Sequence, residues 1–358
     1  MKRYGNLWEK FITKENFELA YWKSQKGKRS FRAVKVFKKN WQENLEKIRQ
    51  TLINKTFKTG KYKEKIKYEP KKRFIYVLPY APYRIVHWAL MLVLTPIFEK
   101  LFIKDSYACI KGRGQHKGSL RCMEFTRRNK YCLKSDVYHF YPSINHDILY
   151  AMIERKIKDK NILWLIKDII YSFVGETNVP IGNLTSQWFG NYYLTPLDYY
   201  IKNELKCKDY LRYSDDFCLF SNDKKYLREC QKKIEIFLKE KLKLRFSKSD
   251  IFNTKQGVDF LGYRHFHDNY ILVRKRTAKR TSKRIRKLPE KLKCGKISVE
   301  KFEGQVASAQ GVLKHANTYN LRRKIGLDNL LQEMNDNVRA RRKRKREQKE
   351  RERRKENT

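Results

Sequence analysis

Two adjacent acids, Asp215 and Asp216, interrupt residues 210–221, YLRYSDDFCLFS, between segments with the pattern of strands. Leu211 and Tyr213 alternate with Arg212 and Ser214 before the pair. Phe217, Cys218, Leu219 and Phe220 follow it as a continuous apolar run. This pattern predicts a β-hairpin with a buried return strand and both carboxylates at the turn. Aspartate also favours turns because its side chain bonds to local backbone, so the pair alone does not specify chemistry.

Around the hairpin the chain alternates. Residues 131–137, YCLKSDV, read as a short strand; SINHDILYAMIERKI starts a helix capped near Asn145; a further helix runs from about Thr185 to Glu204. After the hairpin come a helix from Asp223 to about Leu242 and one strand over residues 257–266, GVDFLGYRHF. The order strand, helix, helix, hairpin, helix, strand implies an α+β sheet with helices on one face. Upstream, Phe37, Trp41, Leu45, Ile48 and Leu52 recur at spacings of three and four and predict one amphipathic helix. Residues 62–78 read as two strands joined at Glu69-Pro70-Lys71-Lys72, a basic hairpin, followed by a helix from about Tyr83 to Phe102. From Lys275 the pattern is basic and helical to about Glu333. The tail from Arg339, with Ala340 as its sole apolar residue, has no face to bury and is expected to be disordered or a solvated helical extension. No internal repeat is visible.

The 358 residues allow a sizeable core and two or three subdomains. They carry 84 Lys plus Arg against 38 Asp plus Glu, a net charge of +46 spread from Lys2 to Lys355. A polyanionic partner follows, and nucleic acid fits best. A membrane fits poorly: the most apolar run, residues 85–98, is shorter than the roughly 20 residues of a span and contains His87 and Pro96. The N-terminus lacks the pattern of a secretory signal, so the chain is expected to stay in the cytoplasm where it is made. Seven cysteines without a Cys-x-x-Cys pair read as reduced structural thiols. His265 and His267 share a strand face, but no second ligand pair accompanies them for zinc. The Gly112–Gly114 turn lacks the Gly-Lys-Ser/Thr ending of a phosphate loop.

A third acid, Asp136, ends the strand 131–137. If that strand lies beside the hairpin, three carboxylates converge at one end of a sheet and repel one another. Two Mg²⁺ ions about 3.5–4 Å apart would relieve that repulsion and serve in-line phosphoryl transfer. Oxygen-only ligands suit Mg²⁺, with Mn²⁺ as a substitute, better than zinc.

SDVYHFYPSI, PIGNLTSQWFGN and YSDD, in this order, resemble the palm motifs of reverse transcriptases. The resemblance runs from KKRFIYVLP to GVDFLGY and the helices behind it. It implies a right-hand polymerase with fingers at residues 1–130, a ferredoxin-like palm at 131–274, a helical thumb at 275–335 and a basic tail at 336–358. It also implies that Asp136, Asp215 and Asp216, with the Val137 carbonyl, bind the metals. Tyr141 matches the aromatic beneath the incoming sugar, the alternative being a core tyrosine. Lys72 and Arg73 match the cations that grip the triphosphate, and Lys248 a lysine near the pyrophosphate; solvated basic residues are the competing reading for each. Gly182 matches the glycine that lets backbone approach the nucleotide, or is a plain turn glycine. Ile181 and Gln187 flank it in the nucleotide-binding segment.

The segments IGNLTSQ, DSYACIKGRGQHKG and LKHANTYNL look like the reverse transcriptases of diversity-generating retroelements, in which adenines of a template RNA are copied with errors into cDNA. That resemblance implies deoxynucleoside triphosphates, template RNA and a small basic accessory protein as partners. It leaves retron, group II intron and defence-associated enzymes as rivals, and from another class an inactive RNA-binding scaffold. Two positions depart from the family pattern: Tyr83-Arg84 stands where Asp-Arg is usual and His87 where Gln is. In the tail, Arg339, Arg341, Arg342, Lys343 and Arg344 are candidate RNA contacts.

Overall fold

The computed structural model describes residues 3–68 and 72–356, with side chains described as far as Arg341 and at 346–347. Helices α1 (Leu7–Phe11), α2 (Lys14–Ser24), α3 (Arg32–Lys39) and α4 (Trp41–Ile53) lead into strands β1 (Lys63–Lys67) and β2 (Arg73–Val77). The single amphipathic helix expected through Phe37 and Trp41 is two helices. Asn40, at φ −127° and ψ 49°, is not helical and separates them. The basic hairpin is present, Lys67 pairing with Arg73, while Glu69, Pro70 and Lys71 lie outside the described residues.

Helix α5 (Ile85–Glu99) follows a wide π-type turn over Tyr80–Arg84. Together, Tyr80–Glu99 is long and apolar enough to cross a membrane by length and composition, but Ile85, Val86, Ala89, Leu90, Leu94 and Phe98 are buried in the larger core. Next come α6 (Gln115–Arg128), β3 (Tyr131–Val137), α7 (Phe140–Ser143), α8 (His146–Glu154) and α9 (Lys160–Ile170). Asn145 caps α8 as expected, its side chain accepting from the Ile148 amide. The helix expected over 185–204 is segmented: α10 (Leu184–Tyr193), α11 (Thr195–Tyr199) and a π-type turn at Tyr200–Glu204, because Pro196 cannot supply an amide to continue α10.

Strands β4 (Tyr210–Tyr213) and β5 (Asp216–Ser221) form the expected hairpin, and α12 (Lys224–Leu242) is capped by Asp223. Strand β6 (Phe246–Asn253) was not anticipated. It completes a sheet of order β4-β5-β3-β6. Helix α12 covers this sheet with Leu227, Cys230, Ile234, Leu238 and Leu242, all buried at helical spacing. Each fully buried aliphatic of this kind contributes about 1.5–3 kcal/mol.

Residues 257–266 are two strands, β7 (Val258–Phe260) and β8 (Tyr263–Phe266), because Leu261 (φ 54°) and Gly262 (φ 85°) make a tight turn; β9 (Tyr270–Val273) pairs beyond them. Helices α13 (Lys275–Arg286), α14 (Leu288–Lys293), α15 (Val299–Leu313), α16 (Tyr319–Lys324) and α17 (Leu327–Glu356) complete the chain. The segment 336–358, expected to be disordered or a solvated helical extension, continues α17 to Glu356.

These elements form two compact units. The larger comprises residues 1–118 and 131–252; the smaller, residues 119–130 and 253–358. The smaller has its own core, built from Tyr263, Val273, Ile285, Phe302, Val306 and Leu313 among others. Within it His265 is buried and used, Nε2 to Ser119 Oγ at 2.7 Å and Nδ1 to the Val258 carbonyl at 3.0 Å. Burial pulls its pKa down to about 4, so the imidazole stays neutral, and His267 is exposed beyond the strand.

Candidate active site

The register of the four-stranded sheet sets the acids side by side. In the antiparallel pair of β3 and β5, Asp136 is the direct partner of Asp216. The hairpin turn between Tyr213 and Asp216 contains only Ser214 and Asp215, and Ser214 adopts φ +58°, a left-handed conformation that two-residue turns require. Two residues leave no slack, so Asp215 is held next to the other two acids. Its carboxyl is pushed up from the usual range by burial and by the charge of Asp136, while Ser214 and the positive charge of Arg73 oppose the shift. Ser247 Oγ donates to Asp136 Oδ2 at 2.9 Å, and Lys134 Nζ lies 3.6 Å from Asp216 Oδ1.

Tyr141 sits at the start of α7, five residues past Asp136. Burial raises its hydroxyl to about 12, and the Ser214 side chain forms a hydrogen bond with it. The ring rests on α10 at a glycine: a Cβ on Gly190 would be 2.9 Å from Tyr141 Cε1. Gly182 has φ +131°, and a Cβ there would lie 2.8 Å from the Tyr76 carbonyl oxygen. The preceding Ile181 carbonyl accepts from the Tyr76 amide at 2.9 Å, so the Ile181-Gly182 loop is bonded to β2. That strand opens with exposed Arg73; Lys72 Nζ lies 5.1 Å from the Phe74 ring centroid.

The structure therefore brings together Asp136, Val137, Asp215, Asp216 and Tyr141, with Arg73 in electrostatic reach and Ile181 and Gly182 against β2. Lys248 is exposed on β6, in an ion pair with Asp250 at 3.0 Å. Gln187 is exposed on α10. Of the tail candidates, Arg339 is exposed, and Arg341 is paired with Glu303 of α15 within the smaller unit. The side chains of Arg342, Lys343 and Arg344 lie outside the described residues. At the departures from the family pattern, Arg84 Nε donates to the Ser24 carbonyl, and buried His87 is lowered to about 4 by burial and by Arg84, with Nδ1 3.3 Å from Thr185 Oγ1.

Sequence reasoning missed Ser247, Lys134, Gly190 and Arg212. Ser247 was hidden because β6 was. Lys134 shares the face of Asp136 by strand alternation, which was available. Arg212 stood only as a polar member of an alternating strand, yet it is fully buried, with Tyr210 and Leu211 beside it on β4 buried too.

The donor set suits divalent cations. Carboxylates that repel one another, one of them raised by burial and by its neighbour's charge, are oxygen donors that a bound cation would relieve, although among the described residues no three acidic, histidine or cysteine side chains already converge as a preformed cation cage.

An antiparallel sheet that carries paired acids at the mouth of a two-residue hairpin, with an aromatic shelf beside it, is the palm of a polymerase. The model of the reverse transcriptase (RNA-dependent DNA polymerase) family matches residues 61–265, more than half of the chain, and the chain belongs to that family. It is 29% identical over 213 residues to the retron Ec73 reverse transcriptase of Escherichia coli, covering 54% of this chain and 65% of that protein. It is 25% identical over 244 residues to protein YkfC of Escherichia coli strain K12, covering 54% and 61%. A 91 kDa protein in the cob intron of Schizosaccharomyces pombe matches at 29% over 131 residues, 34% of this chain and 16% of that one. The matches span less than two thirds of the length of each relative. Among solved structures, apo telomerase from Candida tropicalis has a TM-score of 0.46 at 13% identity, covering 58% of this chain and 47% of that one.

Proposed function

We propose that this protein is an RNA-directed DNA polymerase, and that the observation carrying the reading is the juxtaposition of Asp136, Asp215 and Asp216 beside Tyr141 and within the field of Arg73. The larger unit then holds most of the fingers and palm, and the smaller unit holds residues 119–130, the β7–β9 strands and the helices from Lys275, which are the thumb. Asp136, Asp215, Asp216 and the Val137 carbonyl would hold two Mg²⁺ ions, which when bound would activate the primer hydroxyl and neutralise charge on the leaving pyrophosphate. Arg73 and Lys72, on the β1–β2 hairpin, meet the triphosphate. The Ile181-Gly182 loop, bonded to β2, couples that hairpin to the nucleotide. A net charge of +46 supplies affinity for template and product along their phosphates.

Tyr141 sets the choice of sugar. Its ring is backed by Gly190 and cannot retreat, so a 2′-hydroxyl on the incoming nucleotide meets carbon. Tyr141→Ala is expected to raise ribonucleotide incorporation relative to deoxyribonucleotides by at least about tenfold, the equivalent of 1.4 kcal/mol of lost discrimination. Competition assays with paired nucleotides measure it. An unchanged ratio assigns Tyr141 to the core.

Within the class, we infer the diversity-generating retroelement type, supported by IGNLTSQ with Ile181 before the glycine. An isoleucine offers the nucleotide apolar contact where a glutamine offers a hydrogen bond, which loosens discrimination between right and wrong partners. The cDNA made on a template with all four bases, with any accessory protein supplied, is expected to carry errors concentrated opposite adenine, and Ile181→Gln to lower them by about tenfold, near 1.4 kcal/mol. The adenine preference itself rests on the resemblance. The similarity to a retron enzyme favours a second reading, retron synthesis, and uniformly low error at every template base would select it.

A further inference from the structure

Beneath the hairpin lies a buried charged network that none of these roles uses. Arg212 of β4 and Asp198 of α11 are both fully buried and meet in a bidentate pair, Nε to Oδ1 at 2.7 Å and Nη2 to Oδ2 at 2.5 Å. Nη2 also donates to the Asn191 carbonyl at 3.2 Å. Nη1 donates to Asn191 Oδ1 at 3.3 Å and to the Ser214 carbonyl at 3.0 Å. A guanidinium has five N–H groups in a fixed plane, and here each has an acceptor. The Tyr210 hydroxyl donates to the same Asp198 Oδ1 at 2.7 Å. The Arg212 backbone is held too, its amide donating to the Asp105 carbonyl and its carbonyl accepting from the Tyr107 amide, both at 3.0 Å.

The Ser214 carbonyl belongs to the peptide that leads into Asp215, and Ser214 is the left-handed residue of the turn. Fixing that oxygen fixes the plane from which Asp215 departs. The other anchor, Asn191, follows Gly190, the residue against which the Tyr141 ring rests. One guanidinium therefore ties the acid-bearing turn to the helix that backs the sugar shelf.

We propose that Arg212 is a positioning residue for the acids: its guanidinium, neutralised by Asp198, clamps the Ser214–Asp215 peptide to α10 and sets the direction in which Asp215 faces Asp136. This rests on the polymerase reading. A buried ion pair that serves stability alone can often be replaced by apolar residues at no loss. A clamp cannot, because its function is the contact with Ser214. Lysine keeps the charge but presents three donors from one atom, which cannot span Asp198, Asn191 and the turn.

The test compares wild type with Arg212→Lys. Mn²⁺ binding is followed by electron paramagnetic resonance without nucleotide, primer extension gives kcat and KM, and thermal melting verifies folding. Misplacing a ligand from its supporting shell is expected to weaken Mn²⁺ binding and lower kcat by about 10- to 100-fold each. The deoxynucleotide KM is expected to change less than kcat, since Arg73 on the β1–β2 hairpin makes no contact with the network, while Tyr141, bonded to Ser214, shifts with the turn. Wild-type Mn²⁺ affinity and kcat in folded Arg212→Lys would overturn the proposal. If that variant does not fold, Arg212→Met with Asp198→Leu and Tyr210→Phe removes the buried charges together and is expected to fold and show the same losses; full activity in it would equally overturn the clamp. Wild-type protein that extends no primer on RNA, yet loses Mn²⁺ affinity on substitution, would defeat the polymerase reading and leave the clamp standing.

Discussion

Asp136→Asn, Asp215→Asn and Asp216→Asn are each expected to abolish primer extension while RNA binding persists. The three carboxylates share one end of the sheet, and the loss of any one removes a cation ligand while leaving the lysines and arginines that meet phosphate in place. A loss of about a thousandfold in kcat corresponds to roughly 4 kcal/mol of transition-state stabilisation, a scale that one displaced ion can account for. Folding should not suffer: like charges are being removed from a site where burial and Asp136 already raise the Asp215 carboxyl. Extension assays beside filter binding measure both halves. Full extension by Asp215→Asn would remove the two-metal assignment, and lost RNA binding would mean that the acids support the fold.

The second large effect is expected at Gly182. At φ +131° an L-residue is strained, at about 1–3 kcal/mol, and an added Cβ would sit 2.8 Å from the Tyr76 carbonyl, a backbone atom that cannot swing away. Overpacking of this kind adds a similar amount. Gly182→Ala should therefore destabilise by roughly 2–4 kcal/mol, lowering the melting midpoint by about 5–15 °C for a unit of this size. The activity consequence is separate. Moving the loop off β2 breaks the bond between the Ile181 carbonyl and the Tyr76 amide, so the deoxynucleotide KM should rise. A wild-type melting curve together with a wild-type KM would place Gly182 in a turn with room to adjust.

Local signals in this chain were legible because local interactions decide them. Asn145 and Asp223 accept from amides two or three residues downstream, so the starts of α8 and α12 could be read from a few residues. The apolar content of β3 and β5, and the shortness of the turn between β4 and β5, specify strands and a hairpin before any neighbour is known. The ordered motifs made the acids and Tyr141 legible as one set. In β6 the limit is physical: FSKSDIFN is polar and largely uncovered, and it becomes a strand through pairing at the sheet edge, which a single-segment pattern cannot contain. The turn inside GVDFLGY escaped notice because Leu261 adopts φ 54° where glycine or asparagine is the usual signal.

By itself, then, the sequence determined which groups this protein has to work with: three carboxylates at strand ends, a basic hairpin, an aromatic after the first acid and an excess of positive charge. Their types and local conformations follow from side-chain chemistry and periodicity. Tertiary structure alone decided how they meet. The register that pairs Asp136 with Asp216, the contact of Gly190 with Tyr141, the bond between Ile181 and Tyr76 and the burial of Arg212 against Asp198 join residues from 14 to more than 100 positions apart. Such contacts form only when the whole core closes, since the apolar burial that drives it is non-directional and names no partner. Arg212 is the clearest case: alternation marks it only as a polar member of its strand, and Asn191 of α10 and Asp198 of α11 supply the partners that let it be buried.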